Sequence, residues 1–373
     1  MNHATLKIMR PDKQRGLTLM EVMVAITISL ILLAGVMQIF LGSRQTYRMQ
    51  DGLARLQENG RFAMDFLSRD IRMAGYQGCH RAATTVNNIL AGAIPASFNP
   101  GMGLQGWEAS GTGPGQTYNI SSTNVATVST VGGGWTTAGG TTLEDFQAVP
   151  GSDIVRIWTM GENPAEIDNI SPGANTVVDT PQNSVFANDE ILMLSDCTNA
   201  DVVQVCNIQT IGSGQIRLNL NAGCVPGNIA AMTLSTSQDG QVSRLVSNIY
   251  YVGKRNNDPN NPPALFRRPL GGATLLAGNP EELLEGVESM QVLYGEDTDS
   301  DRTANRYVTA NNVTDWANVV SVRLALLMRS VEEANSTTDS NTYQTAETTI
   351  NPMDDRRLRR VFTTTLQIRN RGQ

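Results

Sequence analysis

The chain predicts an α+β fold in which one long N-terminal helix, hydrophobic and then amphipathic, packs against a large antiparallel β-rich domain. Three observations predict it. Leu17 to Leu41 is an apolar run of 25 residues broken by one charge, Glu21; the sequence then continues without proline to Gly75 with apolar residues at helical spacing; and short, β-branched, partly alternating segments follow residue 150. The 373 residues suffice for one large or two modest domains with a sizeable core.

As a helix rising about 1.5 Å per residue, the Leu17–Leu41 run reaches roughly 37 Å, enough to cross the hydrocarbon layer of a bilayer. A cleaved secretory signal fits it poorly, because the apolar region of such a signal spans about 7–15 residues. Basic residues do not choose an orientation: Lys7, Arg10, Lys13 and Arg15 precede the run, and Arg44, Arg48, Arg55 and Arg61 follow it. Beyond it, Leu53, Leu56, Gly60, Ala63, Phe66 or Leu67, and Ile71 recur at helical spacing, with Arg55, Glu58, Arg61, Asp65 and Arg69 on other faces. Gly75 is a candidate C′ stop. A membrane anchor alone has no use for that amphipathic half; a helix that docks its own globular domain does.

Residues 91–140 hold twelve glycines and one charge, Glu108. They read as long surface loops or an irregular hairpin, with Trp107, Tyr118 and Trp135 to bury. Their GxG clusters follow no strand and open no helix, so they are not a nucleotide fingerprint. Strands are expected at Asp153–Thr159, Glu190–Leu194, Val202–Thr210, Gln215–Leu220, Arg244–Val252, Ala264–Arg267, Val287–Tyr294, Val319–Arg329 and Val361–Arg369, with a hairpin turn at residues 211–214.

The net charge is −7, and the basic start leaves 24 basic and 34 acidic residues after position 16. So acidic a body argues against nucleic-acid binding. His3 and His80 are the only histidines, which excludes multi-histidine catalysis or zinc binding. Cys79, Cys197, Cys206 and Cys224 lack paired CxxC spacing and suit two disulfides in an oxidising compartment, against four free thiols. Of three connectivities, Cys206–Cys224 across the hairpin with Cys79–Cys197 is the expected one. Asp297, Asp299 and Asp301 place alternate carboxylates on a turning loop, a pattern that suits a structural calcium. Arg302 stands where a calcium loop has its sharp-turn glycine and Val308 where its bidentate glutamate belongs, so a solvated acidic turn is the alternative. No other cofactor is expected. Arg356, Arg357, Arg359 and Arg360 read as an exposed strand start pairing with Asp354 and Asp355.

A carboxylate one turn into an apolar helix is costly in lipid, which singles out Glu21. The segment Gln14-Arg-Gly-Leu-Thr-Leu-Met-Glu21 resembles the type IV prepilin motif: a basic leader ending in glycine, then an apolar residue, Thr, Leu, any residue, and Glu. The resemblance implies that residues 1–16 are a leader, that a prepilin peptidase cuts between Gly16 and Leu17, that Leu17 becomes the N-methylated terminus, and that Glu21 serves assembly. Major pilins carry a helix-bending proline about 22 residues into the mature chain; here that position is Gln38. Asp70–Cys79, Gly151–Arg156, Leu194–Cys197, Ile249–Val252, Leu265–Arg268, Glu285–Gly295 and Thr365–Asn370 resemble a PilW-type minor pilin, discontinuously but nearly end to end, with the 91–140 segment left out.

From that resemblance follow the remaining expectations. Residues 17–75 form the long pilin helix, with 17–41 first membrane-spanning and then filament core; residues 76–373 form a periplasmic, β-rich, pilin-like domain. The protein is a minor pilin, not an enzyme, that helps start or cap a type IV pilus for motility, adhesion or DNA uptake. Its partners are other minor pilins, the major pilin, the prepilin peptidase and the inner-membrane assembly platform. It resides in the inner membrane and then in the pilus at the cell surface. A minor pseudopilin of type II secretion is the alternative.

Overall fold

The computed structural model describes residues 16, 18–78, 86–92, 94–121, 124–128, 134–171, 177–182, 185–196, 198–212, 214–221, 223–229, 232–234, 239–270, 275 and 278–371. One helix, α1, runs from Leu19 to Met73 and passes through Gly35, Gln38 and Gly42. The chain divides into two units, residues 1–51 and 52–373.

In the first unit the large apolar side chains from Leu19 to Leu41 are exposed, as expected of a surface made for lipid or for other chains rather than for this chain's own core. By length and composition this helix can cross a membrane. Within this run the Thr27 hydroxyl donates to the carbonyls of Met23 and Val24 at 3.1 and 2.8 Å, the local solution open to a hydroxyl without water.

In the second unit α1 buries Leu56, Gly60, Ala63, Leu67 and Ile71. One expected position is corrected, since Leu53 is 41% exposed, and of the alternatives Phe66 and Leu67 it is Leu67 that enters the core. The buried positions recur every three or four residues, a single stripe along one face of the helix. Gly60 sets the approach, since a Cβ there would stand 2.4 Å from the Phe362 ring. Gly75 ends the helix with φ +70° and donates its N–H to the Trp158 carbonyl at 2.8 Å, the expected C′ stop.

Two main sheets carry the core. The larger runs, neighbour to neighbour, through Val86–Asn88, Ala200–Gln204, Ile191–Ser195, Gln241–Lys254, Ile154–Met160, Leu104–Ala109 and Trp135–Thr136, and Gln241–Lys254 also pairs with Pro263–Pro269. The second runs Arg306–Val308, Val287–Glu296, Val319–Arg329, Arg359–Gln367, all antiparallel. Residues of both sheets share one apolar cluster with Leu56, Ala63, Leu67 and Ile71 of α1.

The expected strands are present, with two revisions. Val202–Thr210 is two strands: Ala200–Gln204 lies in the large sheet, while Asn207–Ile211 pairs with Gln215–Asn219 in a separate hairpin sheet. The break falls at Cys206, which is tied by a disulfide to Cys224, with Cα atoms 5.1 Å apart. The glycine-rich segment is not only loop. Leu104–Ala109 is a strand buried along its whole length, because Trp107 fills the core and Gly106 lets Tyr294 lie where any side chain would collide with its hydroxyl. Trp107 and Trp135 donate their indole N–H groups to the carbonyls of Thr141 and Ser152, each at 2.8 Å.

Arg359 overturns the expectation of an exposed basic strand start. Its side chain is wholly buried and meets Glu288 at 2.7 Å, Asp355 at 2.7 Å and Asp339 at 3.2 Å. A register shift beside Glu288 in the Val287–Glu296 strand goes with this cluster. Partners far apart in sequence, Glu288 and Asp339, made the burial invisible to local charge patterning.

Candidate functional site

The candidate site is the start of α1. Gly16 is exposed, and among the described residues no atom beyond its chain neighbours lies within 4 Å of where a side chain would begin. Leu17, the other side of the predicted cleavage, lies outside the described residues. Thr18 precedes the helix and caps it. The Glu21 N–H donates to the Thr18 hydroxyl oxygen at 3.3 Å, and the Thr18 N–H donates to Glu21 Oε2 at 2.9 Å. The Thr18 hydroxyl also donates to Oε2, at 3.0 Å.

This is a reciprocal capping box, which satisfies two N–H groups that a helix start otherwise leaves without partners. The Thr-x-x-Glu spacing that signals it stands in the sequence at 18–21, inside the motif already singled out for another reason. The geometry gives Glu21 two capacities. Through Oε2 it fixes the first turn of its own helix; Oε1 accepts no hydrogen bond among the described residues and remains available to a cation from another chain.

The other end of α1 is held by the C-terminal half of the chain. Asp70 accepts at one oxygen, Oδ2, from the Tyr250 hydroxyl at 2.5 Å and from Asn248 Nδ2 at 2.8 Å. The last carbonyls of the helix, which have no partner within it, are met by the chain's C-terminal segment. The Arg369 N–H donates to the Arg72 carbonyl at 3.1 Å, and Asn370 Nδ2 to those of Ala74 and Met73 at 3.4 and 3.5 Å. The Arg371 guanidinium crosses to the carbonyls of Met102, Trp316 and Val319.

The acidic loop brings the predicted carboxylates together: oxygens of Asp297, Asp299 and Asp301 lie within 4.8 Å of one another. Asp297 organises the turn, accepting N–H groups of Asp299 and Ser300 at Oδ1 (3.2 and 2.7 Å) and of Arg302 at Oδ2 (2.7 Å). Arg302, in the place of the sharp-turn glycine, has φ +70°, so the backbone makes that turn even without glycine. Three converging carboxylates suit a hard divalent cation, but calcium takes six to eight oxygens, and carbonyls and water would have to supply the others.

Of the predicted disulfides, Cys206–Cys224 closes the Asn207–Asn219 hairpin; Cys79 and Cys197 lie outside the described residues.

Comparison with known proteins gives two family matches. Residues 249–370 match the family described as Type IV Pilus-assembly protein W, and residues 11–37 match the prokaryotic N-terminal methylation motif. Among solved structures the chain is similar to a type IV-like pilin from Thermus thermophilus, at 12% identity over 86% of this chain and 98% of that one, with a TM-score of 0.32. No curated protein sequence matches it. The first match contains the residues that clasp α1, Tyr250 and Phe362 on strands and Arg369 and Asn370 just after the last one; the second contains Gly16, the capping box and most of the apolar run. The chain thus carries, at one end, a match to the N-terminal methylation motif on an apolar helix long enough to cross a membrane and, at the other, a match to the Type IV Pilus-assembly protein W family.

Proposed function

We propose that this protein is a minor pilin of a type IV pilus, made as a precursor and trimmed by a prepilin peptidase between Gly16 and Leu17. Leu17 is then the methylated terminus, and the apolar half of α1 holds the protein in the inner membrane, with the β-rich domain in the periplasm, until it enters the filament. The observation that carries this reading is the Glu21 carboxylate at the head of a fully apolar, exposed helix. In lipid such a group is expensive; in a filament it receives the ammonium of a neighbouring subunit's Leu17, and Oε1 is free to do so. The role is structural, in a complex that starts or tips the filament, with other minor pilins, the major pilin and the assembly platform as partners. The match to the pilus-assembly family favours a pilus over a secretion pseudopilus.

The test is genetic and chemical. Gly16→Val should leave residues 1–16 attached, as read by intact mass; a mature chain beginning at Leu17 in that variant refutes the cleavage assignment. Glu21→Ala should insert into the membrane normally yet be missing from sheared surface filaments. Incorporation at the wild-type level would remove the role given to Glu21.

A calcium ion at Asp297, Asp299 and Asp301 is the second part of the proposal, supported by their convergence within 4.8 Å. Added calcium should raise the melting temperature of the wild-type chain and leave Asp299→Asn/Asp301→Asn unmoved; an equal response from both would refute the site.

A further inference from the structure

Beneath the glycine-rich segment two carboxyl groups are buried together. Glu108, on the Leu104–Ala109 strand, is 4% exposed, and Asp153, just before Ile154–Met160, is 2% exposed. Asp153 ties the two main sheets to each other. Its Oδ1 accepts the Ala109 N–H at 2.9 Å, its Oδ2 accepts the Val292 N–H at 2.8 Å, and its own N–H donates to the Met290 carbonyl at 2.8 Å. Glu108 has less. The Thr112 hydroxyl donates to its Oε1 at 3.2 Å, while Oε2 is buried with no hydrogen-bond partner.

The surroundings supply no compensating cation. From the Val287–Glu296 strand Tyr294 faces both acids; burial, then the charges of Asp153 and Glu108, push its phenol up, and its oxygen is itself buried and unpartnered. From the short turn Ala310–Asn312 the Ala310 N–H favours the carboxylate of Glu108, and the neighbouring Thr136 and Asn311 are neutral. Among the described residues no arginine or lysine acts on either carboxyl. Nor is there slack: a Cβ on Gly106 would stand 1.8 Å from the Tyr294 oxygen.

Two carboxylates at this depth cannot both stay ionised, since desolvation and mutual repulsion both favour a proton. Burial pushes Glu108 up to about 7, and burial and then Glu108 push Asp153 up as well. Asp153 accepts a backbone N–H at each of its two oxygens, whereas Glu108 keeps Oε2 buried without a partner. The proton therefore rests on Glu108.

We propose that Glu108 is the proton site of a latch between the two sheets: the tie made by Asp153 is closed while Glu108 is protonated and is loosened when that proton leaves to solvent and a second charge is left beside it. The latch lies under a surface groove of about 360 Å³ lined by Ser110, Gln116, Thr136, Thr309 and Asn311, so its loosening changes the face that the glycine-rich loops present. The direction follows from linkage. Glu108 has a higher proton affinity folded than unfolded, so its full stabilisation is present below the unfolded value of 4.5 and is lost as pH rises to about 7. One such proton changes the folding equilibrium constant by up to about tenfold per pH unit in that window.

The experiment compares wild-type full-length chain with Glu108→Gln, which keeps the shape and cannot ionise, both in detergent micelles. Denaturant unfolding followed by tryptophan fluorescence from pH 4.5 to 8 should show a fall in wild-type stability steeper by up to one proton than that of Glu108→Gln. Infrared spectroscopy of the folded wild type should show a protonated-carboxyl stretch at pH 6 that disappears near pH 7–8 and is absent from Glu108→Gln. Equal pH slopes for the two proteins overturn the proposal. If Glu108→Gln does not fold, the wild-type spectrum decides alone: no protonated carboxyl at pH 6 overturns it.

Discussion

Replacing Arg359 with methionine removes the cation around which Glu288, Asp339 and Asp355 converge. The wild-type guanidinium has a side chain with no exposed surface and donates to Glu288 at 2.7 and 3.1 Å, to Asp355 at 2.7 and 3.0 Å, and to Asp339 at 3.2 Å. Glu288 and Asp339 are themselves 4% and 5% exposed, so the variant strands charges that water cannot reach. Breaking a buried pair from one side costs about 3–5 kcal/mol. Arg329 stands 3.4 Å from Glu288 and Arg357 3.4 Å from Asp355, which offsets part of the loss. About 3 kcal/mol is therefore expected, a factor of roughly 150 in the folding equilibrium at about 1.4 kcal/mol per decade.

Chemical denaturation of the full chain in micelles measures it, and pH supplies a signature. Burial works against charge on Asp339 and Asp355, yet the bonds that Asp339 accepts from Tyr343, Asn341 and Arg359, and Asp355 from Arg359 and Arg357, hold both below the ordinary aspartate value. Groups of depressed pKa stabilise above their unfolded value and lose that contribution as pH falls. Wild type should therefore lose stability on acidification below pH 4 more steeply than Arg359→Met. A loss under about 1 kcal/mol, with the acid slope unchanged, would refute the reasoning and assign the balance of charge to Arg329 and Arg357.

Two further outcomes concern the clasp on α1 and the hairpin. Asp70→Ala leaves the Tyr250 hydroxyl, on a residue 1% exposed, without its acceptor, and should cost about 1–3 kcal/mol, with Asp70→Asn retaining part; a loss below 0.5 kcal/mol for Asp70→Ala would show that the apolar stripe docks the helix alone. Replacing Cys206 and Cys224 by serine opens a cross-link spanning 18 residues, worth up to about 3 kcal/mol by loop closure; amide exchange should quicken across Asn207–Asn219 more than across Arg359–Gln367, and uniform exchange in both would refute a local role.

Much of this was legible in the sequence because the decisive signals were local. The apolar run, the Gly16–Glu21 motif, the Gly75 stop and the alternating strands each depend on neighbours within about a dozen residues. What escaped was set by distant partners. Phe66 and Leu67 are both offered by the helical spacing, and only the docking of the face that carries Gly60 against Phe362 settles that Leu67 turns inward. Leu104–Ala109 was hidden by flanking glycines, although its burial follows from Trp107 and from Tyr294 nearly two hundred residues away. Glu108 looked like the lone charge of a loop, and Arg359 like one of four surface arginines, because charge counting is blind to depth.

The two family matches lie at opposite ends of the chain, and the amphipathic half of α1 connects their roles. A helix whose apolar half is committed to lipid or to other subunits can transmit a load to its own domain only through the surface it buries there. That surface is supplied largely by the 249–370 segment: Phe362 over Gly60, Tyr250 on Asp70, and Arg369 and Asn370 on the terminal carbonyls. Arg359 lies in the same strand as Phe362, so its ion cluster braces the strand that bears on the helix. The hairpin sheet contributes none of the contacts just named, whereas the glycine-rich region adds Leu104 to the same apolar cluster. The 249–370 segment is therefore the part of the domain that holds the helix, and a change at Gly60, Asp70 or Phe362 acts on that joint directly.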